Sequence, residues 1–253
     1  MSPREAKYRK EEVLAEIVEA YLETGIPVAS QHIVERGLEC SSATIRNIMA
    51  ELIDEGYLVQ PHTSAGRIPT EKAYRYYLDY VLDLGAEKFK KRVLRRDINR
   101  AEQEIEEEAK RVESVEELLR ITADLISELA HQTGMGVVWG RRDVYLHGRN
   151  YIVDYQEFQD IQKLRALLTL FEMEDLLYDL FWRELRDRVD VFLGEEIGVP
   201  ELRGCSMLIS YCGKVGEKET RLGLVGPMRM DYAKNITLLE EISKELEELW
   251  KEF

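Results

Sequence analysis

The hydrophobic pattern changes at Gly134, and this change constrains the fold more strongly than any other feature of the sequence. Before Gly134, apolar residues recur at spacings of three and four, as in YRKEEVLAEIVEAYLE at 8–23, which is typical of amphipathic helices. After it, segments such as GMGVVWG and TRLGLVGPM alternate in polarity and end at glycine or charged residues, which predicts strands. A helical stretch at 157–185 and a last helix from Tyr232 complete this half. We therefore predict an α+β fold with an antiparallel sheet.

Length and charge limit the class of protein. The 253 residues suit two domains, and a hydrophobic content of 45% suffices for a core. No apolar run is long enough to span a membrane and the first residues lack a secretory signal, so we expect a cytoplasmic protein. The net charge of −14 argues against a general nucleic-acid coat protein, which would be basic. Residues 1–85 hold 9 Lys and Arg against 14 Asp and Glu, so any DNA binding must rest on a local patch.

The first third of the chain has the element order of a winged helix-turn-helix. A long amphipathic helix comes first, Ser30 is placed to cap a short second helix, and a third helix begins after Ser41. Residues 57–59 then predict a strand, and a loop containing Gly66 turns the chain back on it. Because three helices followed by a hairpin is the order of a winged helix-turn-helix, we assign residues 1–85 to such a DNA-binding domain.

The start of the third helix and the loop carry side chains suited to duplex DNA. In a helix-turn-helix, the second helix of the pair enters the major groove by its N-terminal end. There Arg46 can bond guanine and Asn47 adenine, while small hydroxyl side chains allow a close approach. Gly66 would supply the tight turn of a wing, and Arg67 a cation for the backbone or minor groove. The candidate residues are Ser41, Ser42, Thr44, Arg46, Asn47, His62, Thr63, Ser64, Gly66 and Arg67.

Residues 86–127 predict one long, solvated helix that links the two domains. The segment is rich in charge, lacks glycine and proline, and carries a narrow apolar seam from Leu94 to Leu119. A seam of this kind fits a partner helix in a homodimer, as in a coiled coil, and it equally fits the surface of its own chain's domain. Both interpretations stay open on the sequence.

Residues 128–253 predict an α+β domain of the size of a small sensor domain, without enzymatic chemistry. Its strongest motif, GPMRMDY at 226–232, is either an effector contact or a structural turn in which Asp231 caps the last helix, and Arg229 and Tyr232 are included with it. We find no catalytic triad, no metal-ligand spacing and no phosphate-binding glycine loop in the sequence, so we expect no enzyme, no metal and no cofactor.

Two long motifs resemble one protein family. The segment SSATIRNIMAELIDEGYLVQPHTSAGRIPTEKAYRYYLD at 41–79, together with VFLGEE and LGLVGPMRMDYAKNI near the C-terminus, is similar to the HrcA family of heat-inducible transcription repressors of bacteria. The resemblance implies a homodimer that binds an inverted-repeat operator upstream of chaperone genes, a GAF-like C-terminal domain, and a chaperonin that favours the active repressor. It also implies an inserted dimerisation subdomain, most of which is absent here, since only VYLHGRNYIVDYQEF separates the first strand from the middle helices.

Two alternative functions remain at this point. The chain could be a winged-helix regulator whose GAF-like domain senses a small molecule and controls other operons. It could also be a protein-interaction scaffold, in which residues 1–85 form a helical module with capping serines and the long helix binds a partner. The promoters bound in cells would separate these functions from a heat-shock repressor.

Overall fold

The computed structural model describes residues 3–62, 65–79, 95–140 and 143–253. The chain divides into two units, Met1–Ala86 and Glu87–Phe253. The predicted domain boundary at residue 85 and the first part of the predicted linking helix lie outside the described residues. The described part of that linking segment belongs to the second unit.

The first unit is built from helices and a two-stranded hairpin. Its helices are α1 (Pro3–Thr24), α2 (Ser30–Glu35), α3 (Ser42–Asp54) and α4 (residues 71–79), and its strands are β1 (Leu58–Val59) and β2 (Ile68–Pro69). The strands are antiparallel, with Leu58 opposite Pro69. Val28, in the link between α1 and α2, forms an isolated antiparallel bridge with Arg67, so the link lies along the outer edge of β2.

Apolar side chains from all four helices form the core of this unit. α1 contributes buried apolar side chains from successive turns, because its apolar residues repeat at helical spacing. α3 contributes the apolar side chains of one face. Helix α4 and β1 close the core from the hairpin side. The most deeply buried members are Val13, Ile17, Val18, Ile33, Ile45, Leu52, Leu58, Ala73 and Leu78.

The single long helix predicted over residues 86–127 is wrong for the part that the structure describes. Two helices, α5 (Arg95–Ala109) and α6 (Val115–Ala130), replace it. The break has a local cause, because the side chain of Ser114 accepts a hydrogen bond from the backbone N–H of Glu117 at 3.2 Å and starts a new helix. The seam residues Ile98, Ala101, Ile105, Val115 and Leu119 are buried within the unit, since α5 and α6 pack against each other and against the elements described next.

The second unit contains a five-stranded antiparallel sheet, in the order β4-β3-β7-β6-β5. Its strands are β3 (Thr133–Val138), β4 (Val144–His147), β5 (Val189–Leu193), β6 (Cys205–Val215) and β7 (Lys218–Pro227). Helix α6 covers β3, and the last helix, α9 (Tyr232–Leu249), covers β6. The predicted α+β class with an antiparallel sheet is confirmed.

A second helical layer covers the opposite face of the sheet. It consists of α7 (Ile161–Leu170) and α8 (Glu174–Phe181), whose buried residues form one cluster with Met135, Val137 and Met207 of the strands. Two 3-10 turns, Arg149–Asp154 and Gln156–Phe158, join β4 to α7. They lie at the position where the family resemblance implied an inserted dimerisation subdomain. No helix in the described ranges is both long and apolar enough to cross a lipid bilayer.

The three cysteines differ in accessibility, and this predicts their reactivity. Burial raises the pKa of the Cys205 and Cys212 thiols to about 12, whereas Cys40 is half-buried. Because the thiolate is the reactive form, we expect one thiol per native chain to react with Ellman's reagent at pH 8. The other two should react only after denaturant is added. Rapid reaction of more than one thiol in the native protein would contradict this assignment.

Candidate nucleic-acid interface

Ser41 fixes the point at which α3 begins. Its hydroxyl oxygen accepts a hydrogen bond from the backbone N–H of Thr44 at 3.1 Å, and its Oγ lies 2.9 Å from Oγ1 of Thr44. This cap satisfies one of the N–H groups that a helix start leaves free. The first turn of α3 therefore presents a rigid set of small hydroxyl groups.

Ser42 connects α3 to α2. Its hydroxyl lies 2.9 Å from that of Ser30, the first residue of α2. The prediction that Ser30 caps α2 is wrong, because Ala29 occupies the cap position and no side chain caps the helix there. The hydroxyl of Ser30 instead ties the N-terminal ends of the two helices together, and this contact orients the start of α3.

Arg46 and Asn47 lie on the solvent-facing side of α3. Both are exposed, while Ile45, Ile48, Met49 and Leu52 on the opposite side are buried. The exposed residues one turn away on the outer face are Ala43 and Ala50, which are too small to obstruct an approaching surface, and Glu51, toward the C-terminal end of the helix. The N-terminal part of the outer face of α3 therefore offers one guanidinium and one carboxamide beside short side chains, with a carboxylate one turn later.

The hairpin loop, residues 60–67, joins β1 to β2. His62 is exposed, and its carbonyl oxygen accepts a hydrogen bond from the N–H of Ala65 at 2.9 Å. Thr63 and Ser64, two of the candidate residues, lie outside the described part of the chain. This hydrogen bond joins His62 to Ala65, which lies beside the start of β2.

Gly66 is needed for a close approach between backbones. A Cβ atom at this position would overlap the carbonyl oxygen of Pro27 and would lie 2.5 Å from the Pro27 carbonyl carbon and 2.6 Å from that of Val28. The sequence explanation, a tight turn at Gly66, is therefore incomplete. The absence of a side chain lets the loop pack directly on the link between α1 and α2.

Arg67 is held by the protein itself. Its backbone N–H donates to the Val28 carbonyl and its carbonyl accepts from the Val28 N–H, both at 2.8 Å. In its side chain, Nη1 donates to the Ala65 carbonyl at 3.0 Å, and Nε is buried with no hydrogen-bond partner among the described residues. The half-buried guanidinium therefore folds back onto the loop.

Acidic side chains neutralise two other cations of this unit. Lys10 lies 2.5 Å from a carboxylate oxygen of Glu55. Arg36 donates to Glu23 at 2.7 Å and to Glu16 at 3.0 Å, and the hydrogen bond to Glu23 is the main cause that raises its pKa. Arg46, by contrast, forms no ion pair with any residue of the described ranges. Arg46 is therefore a local positive group on the surface of an acidic unit.

The second candidate motif, at residues 226–232, is occupied by internal contacts. Arg229 Nε donates to Glu157 at 2.9 Å, and the Asp231 carboxylate accepts from the backbone N–H of Lys234 at 3.0 Å, which caps α9. The Tyr232 hydroxyl lies 2.5 Å from that of Ser206, and it donates to the Met228 carbonyl at 2.6 Å. These contacts give all three side chains a packing role in the sheet unit.

A family model described as the HrcA protein C terminal domain matches residues 63–236, which is more than half of the chain. The chain belongs to the HrcA family. The resemblance inferred from the sequence motifs is thereby confirmed. The match begins inside the hairpin loop and ends within α9, so it includes all five strands of the sheet and the second motif.

The HrcA relatives align over nearly the whole chain. A heat-inducible transcription repressor HrcA from Pelotomaculum thermopropionicum is 28% identical, and the alignment covers 95% of this chain and 96% of the relative. A repressor of the same name from Symbiobacterium thermophilum is also 28% identical, with 95% and 98% coverage. The first alignment spans 345 positions whereas this chain has 253 residues, so HrcA relatives contain segments without a counterpart here. These relatives are named as repressors, not as enzymes.

The fold also matches a solved structure. A crystal structure described as that of a hypothetical protein superposes with a TM-score of 0.76 and 20% sequence identity, and covers 96% of this chain and 98% of the other. At this identity the similarity concerns the fold alone. It extends over both units of this HrcA family member.

Sequence reasoning missed three contributors to the interface. These are the Ser30 hydroxyl, the Gln60 side chain, which donates to the Ala65 carbonyl at 3.2 Å, and the Pro27–Val28 link. The Ser30 hydroxyl and the Pro27–Val28 link act through contacts with other elements, and the Gln60 side chain acts across its own loop; residue spacing reveals none of these contacts. Only the glycine at position 66 gave a signal, because glycine often marks close backbone approach.

Proposed function

We propose that this protein is a dimeric transcription repressor of heat-shock chaperone genes that binds an inverted-repeat operator in duplex DNA. Residues 1–85 would act as a winged helix, with α3 as the recognition helix and the hairpin loop as the wing. The observation that carries this proposal is the outward face of α3, where Arg46 and Asn47 are exposed near the N-terminal end of the helix. The names of the HrcA relatives support the link to heat.

The geometry of α3 suits entry into a major groove by its N-terminal end. Hydroxyl groups and free N–H groups at a helix start can bind phosphate, and an arginine or asparagine one turn later can reach base edges. The acidic residues of α3, Glu51 and Asp54, lie at its C-terminal end. An approach by the N-terminal end therefore keeps these carboxylates farthest from the phosphates.

The hairpin loop would lie against the neighbouring sugar-phosphate backbone. His62, Thr63 and Ser64 are short or exposed donors suited to phosphate oxygens, which position a protein without reading sequence. Gly66 would serve indirectly, because its lack of a side chain holds the loop against the Pro27–Val28 link. Ser41, Ser42 and Thr44 would contact the backbone beside the groove that α3 enters.

The remaining parts of the proposal concern assembly and control. An inverted-repeat operator requires a two-fold related pair of recognition helices one DNA turn apart, which a homodimer supplies. We propose that residues 128–253 form a GAF-like domain, that a chaperonin modulates the repressor in the cytoplasm, and that heat releases it from DNA. The apolar seam of α5 and α6 is buried inside its own unit, so we do not assign the dimer contact to that seam.

Replacing Arg46 with alanine should weaken operator binding by about 1–3 kcal/mol, because a bidentate contact to one base would be lost. Fluorescence anisotropy with operator and scrambled duplexes at one salt concentration measures this effect. Arg100→Ala, which removes an exposed arginine of α5, is the matched control and should leave affinity unchanged. Equal affinity of the Arg46 variant and the native protein would remove Arg46 from the base-reading role.

Mapping the promoters that the protein occupies in cells tests the function as a whole. Enrichment of chaperone promoters that disappears on heating is the expected result. Enrichment at other operons would favour a ligand-sensing regulator instead. A lack of enrichment at any promoter would overturn the DNA-binding proposal.

A further inference from the structure

The carbonyl group of Ala65 accepts hydrogen bonds from both sides of the hairpin loop. Gln60 Nε2, at the end of the loop that follows β1, donates to it at 3.2 Å, and Arg67 Nη1, at the end that precedes β2, donates at 3.0 Å. The N–H of the same residue donates to His62. Ala65 is therefore fixed through both of its backbone polar groups.

Both the backbone and the side chain of Arg67 are engaged in contacts within the protein. Its backbone pairs with Val28 in both directions, and its Nε is buried rather than presented to solvent. Arginine frequently contacts a phosphate through two parallel N–H groups of its planar fork. Here the fork is folded against the loop backbone, and the charge strengthens its hydrogen bond to the Ala65 carbonyl, since bonds from ionised donors are stronger than neutral ones.

We propose that Arg67 and Gln60 are positioning residues that hold the hairpin loop in its DNA-binding conformation, and that Arg67 contributes no phosphate contact of its own. This inference rests on the proposed function. It changes the role of Arg67 from the cation that touches DNA to the residue that shapes the loop. Residues of the loop itself then make the contacts.

The salt dependence of binding separates the two roles of Arg67. Each phosphate contact by a cation releases condensed counterions and contributes about 0.9 to the slope of log K against log salt. A positioning residue lowers affinity without changing that slope, because the number of neutralised phosphates stays the same. Gln60 is uncharged, so it cannot change the slope by a phosphate contact at all.

The test uses Arg67→Met, Gln60→Met and the double variant in the full chain, with operator duplex titrated at several salt concentrations. We expect each single variant to bind about threefold to tenfold more weakly, the effect of one lost hydrogen bond. The double variant should differ from the product of the single effects, since both donors serve the same carbonyl and their contributions are coupled. The salt slope should match that of the native protein in all three.

Hydrogen exchange read by mass spectrometry supplies a measurement that does not depend on DNA. Peptides covering residues 58–69 should exchange faster in both single variants, while peptides from α1 and α3 stay at native rates. A general loss of stability would instead raise exchange in all of these peptides. Gln60→Met keeps the test decisive if Arg67→Met does not fold.

A slope reduced by about 0.9 in Arg67→Met, with native affinity in Gln60→Met, would overturn the positioning role. Native exchange rates in the loop of both variants would also overturn it. If the native protein fails to bind operator at any salt concentration, the proposed function fails, and the exchange measurement still decides whether these residues hold the loop.

Discussion

Replacing Gly134 with alanine is expected to lower the free energy of unfolding of the sheet unit by about 3 kcal/mol, the upper end of the usual cost of overpacking. Gly134 lies in β3, which pairs with both β4 and β7. A Cβ atom there would overlap the backbone carbonyl oxygen of Ala123 and would lie 2.8 Å from Cβ of Ser127, both in α6. Backbone atoms cannot move aside as a flexible side chain can, so α6 must shift away from the sheet.

Tryptophan fluorescence during urea denaturation measures this effect selectively. All three tryptophans, Trp139, Trp182 and Trp250, belong to the second unit, so their signal reports the unfolding of the sheet unit. Gly204→Ala is the matched control, because no heavy atom lies within 4 Å of a Cβ at that position. If both alanine variants unfold at the same urea concentration, the close contact between α6 and β3 is not a constraint on stability.

Replacing Gly66 with alanine is expected to destabilise the first unit by a similar amount, about 3 kcal/mol. The added Cβ would overlap the Pro27 carbonyl and force the hairpin loop away from the link between α1 and α2. The two hydrogen bonds between Val28 and Arg67 would then be strained or lost. Because the loop also belongs to the proposed interface, operator affinity should fall with stability.

Hydrogen exchange of α1 and α3 peptides measures the stability of this unit, which contains no tryptophan. His62→Ala, at an exposed position of the same loop, serves as the control and should change stability by less than about 0.5 kcal/mol. Native exchange rates in Gly66→Ala would show that the loop can separate from the link without cost.

The sequence predicted elements well where one face of a helix or strand is buried. The helical spacing of Ile45, Met49 and Leu52 predicts that Arg46 and Asn47 lie on the opposite side of α3, and the structure has them exposed there. Alternation after Gly134 predicted the sheet in the same way. Periodicity succeeds in these cases because burial against a core selects residues at a fixed angle around the element.

The break between α5 and α6 shows where this reasoning fails. Charged residues and helical spacing continue through 110–114, so periodicity alone predicted one helix. A capping signal was present, since Ser114 followed three positions later by Glu117 is a sequence marker of a helix start. A local hydrogen bond at the cap prevailed over the tendency of charged residues to continue a helix.

Contacts between distant segments could not be predicted from one sequence. The side chain of Arg67 had the chemistry of a DNA-contacting cation, and only the position of Ala65 and Val28 reveals that it turns inward. The same holds for Ser30, whose hydroxyl contacts the hydroxyl of Ser42 instead of capping α2. Residue type restricts the possible roles, and the surrounding fold selects one of them.

The link between α1 and α2 joins both proposed DNA-contacting parts. Val28 holds the base of the hairpin, and Ser30, two residues later, holds the first turn of α3. Residues 28–30 therefore couple the position of the hairpin to that of the N-terminal end of α3. A design that transfers this recognition helix to another scaffold should therefore include residues 27–30, because they set the orientation of α3 relative to the hairpin.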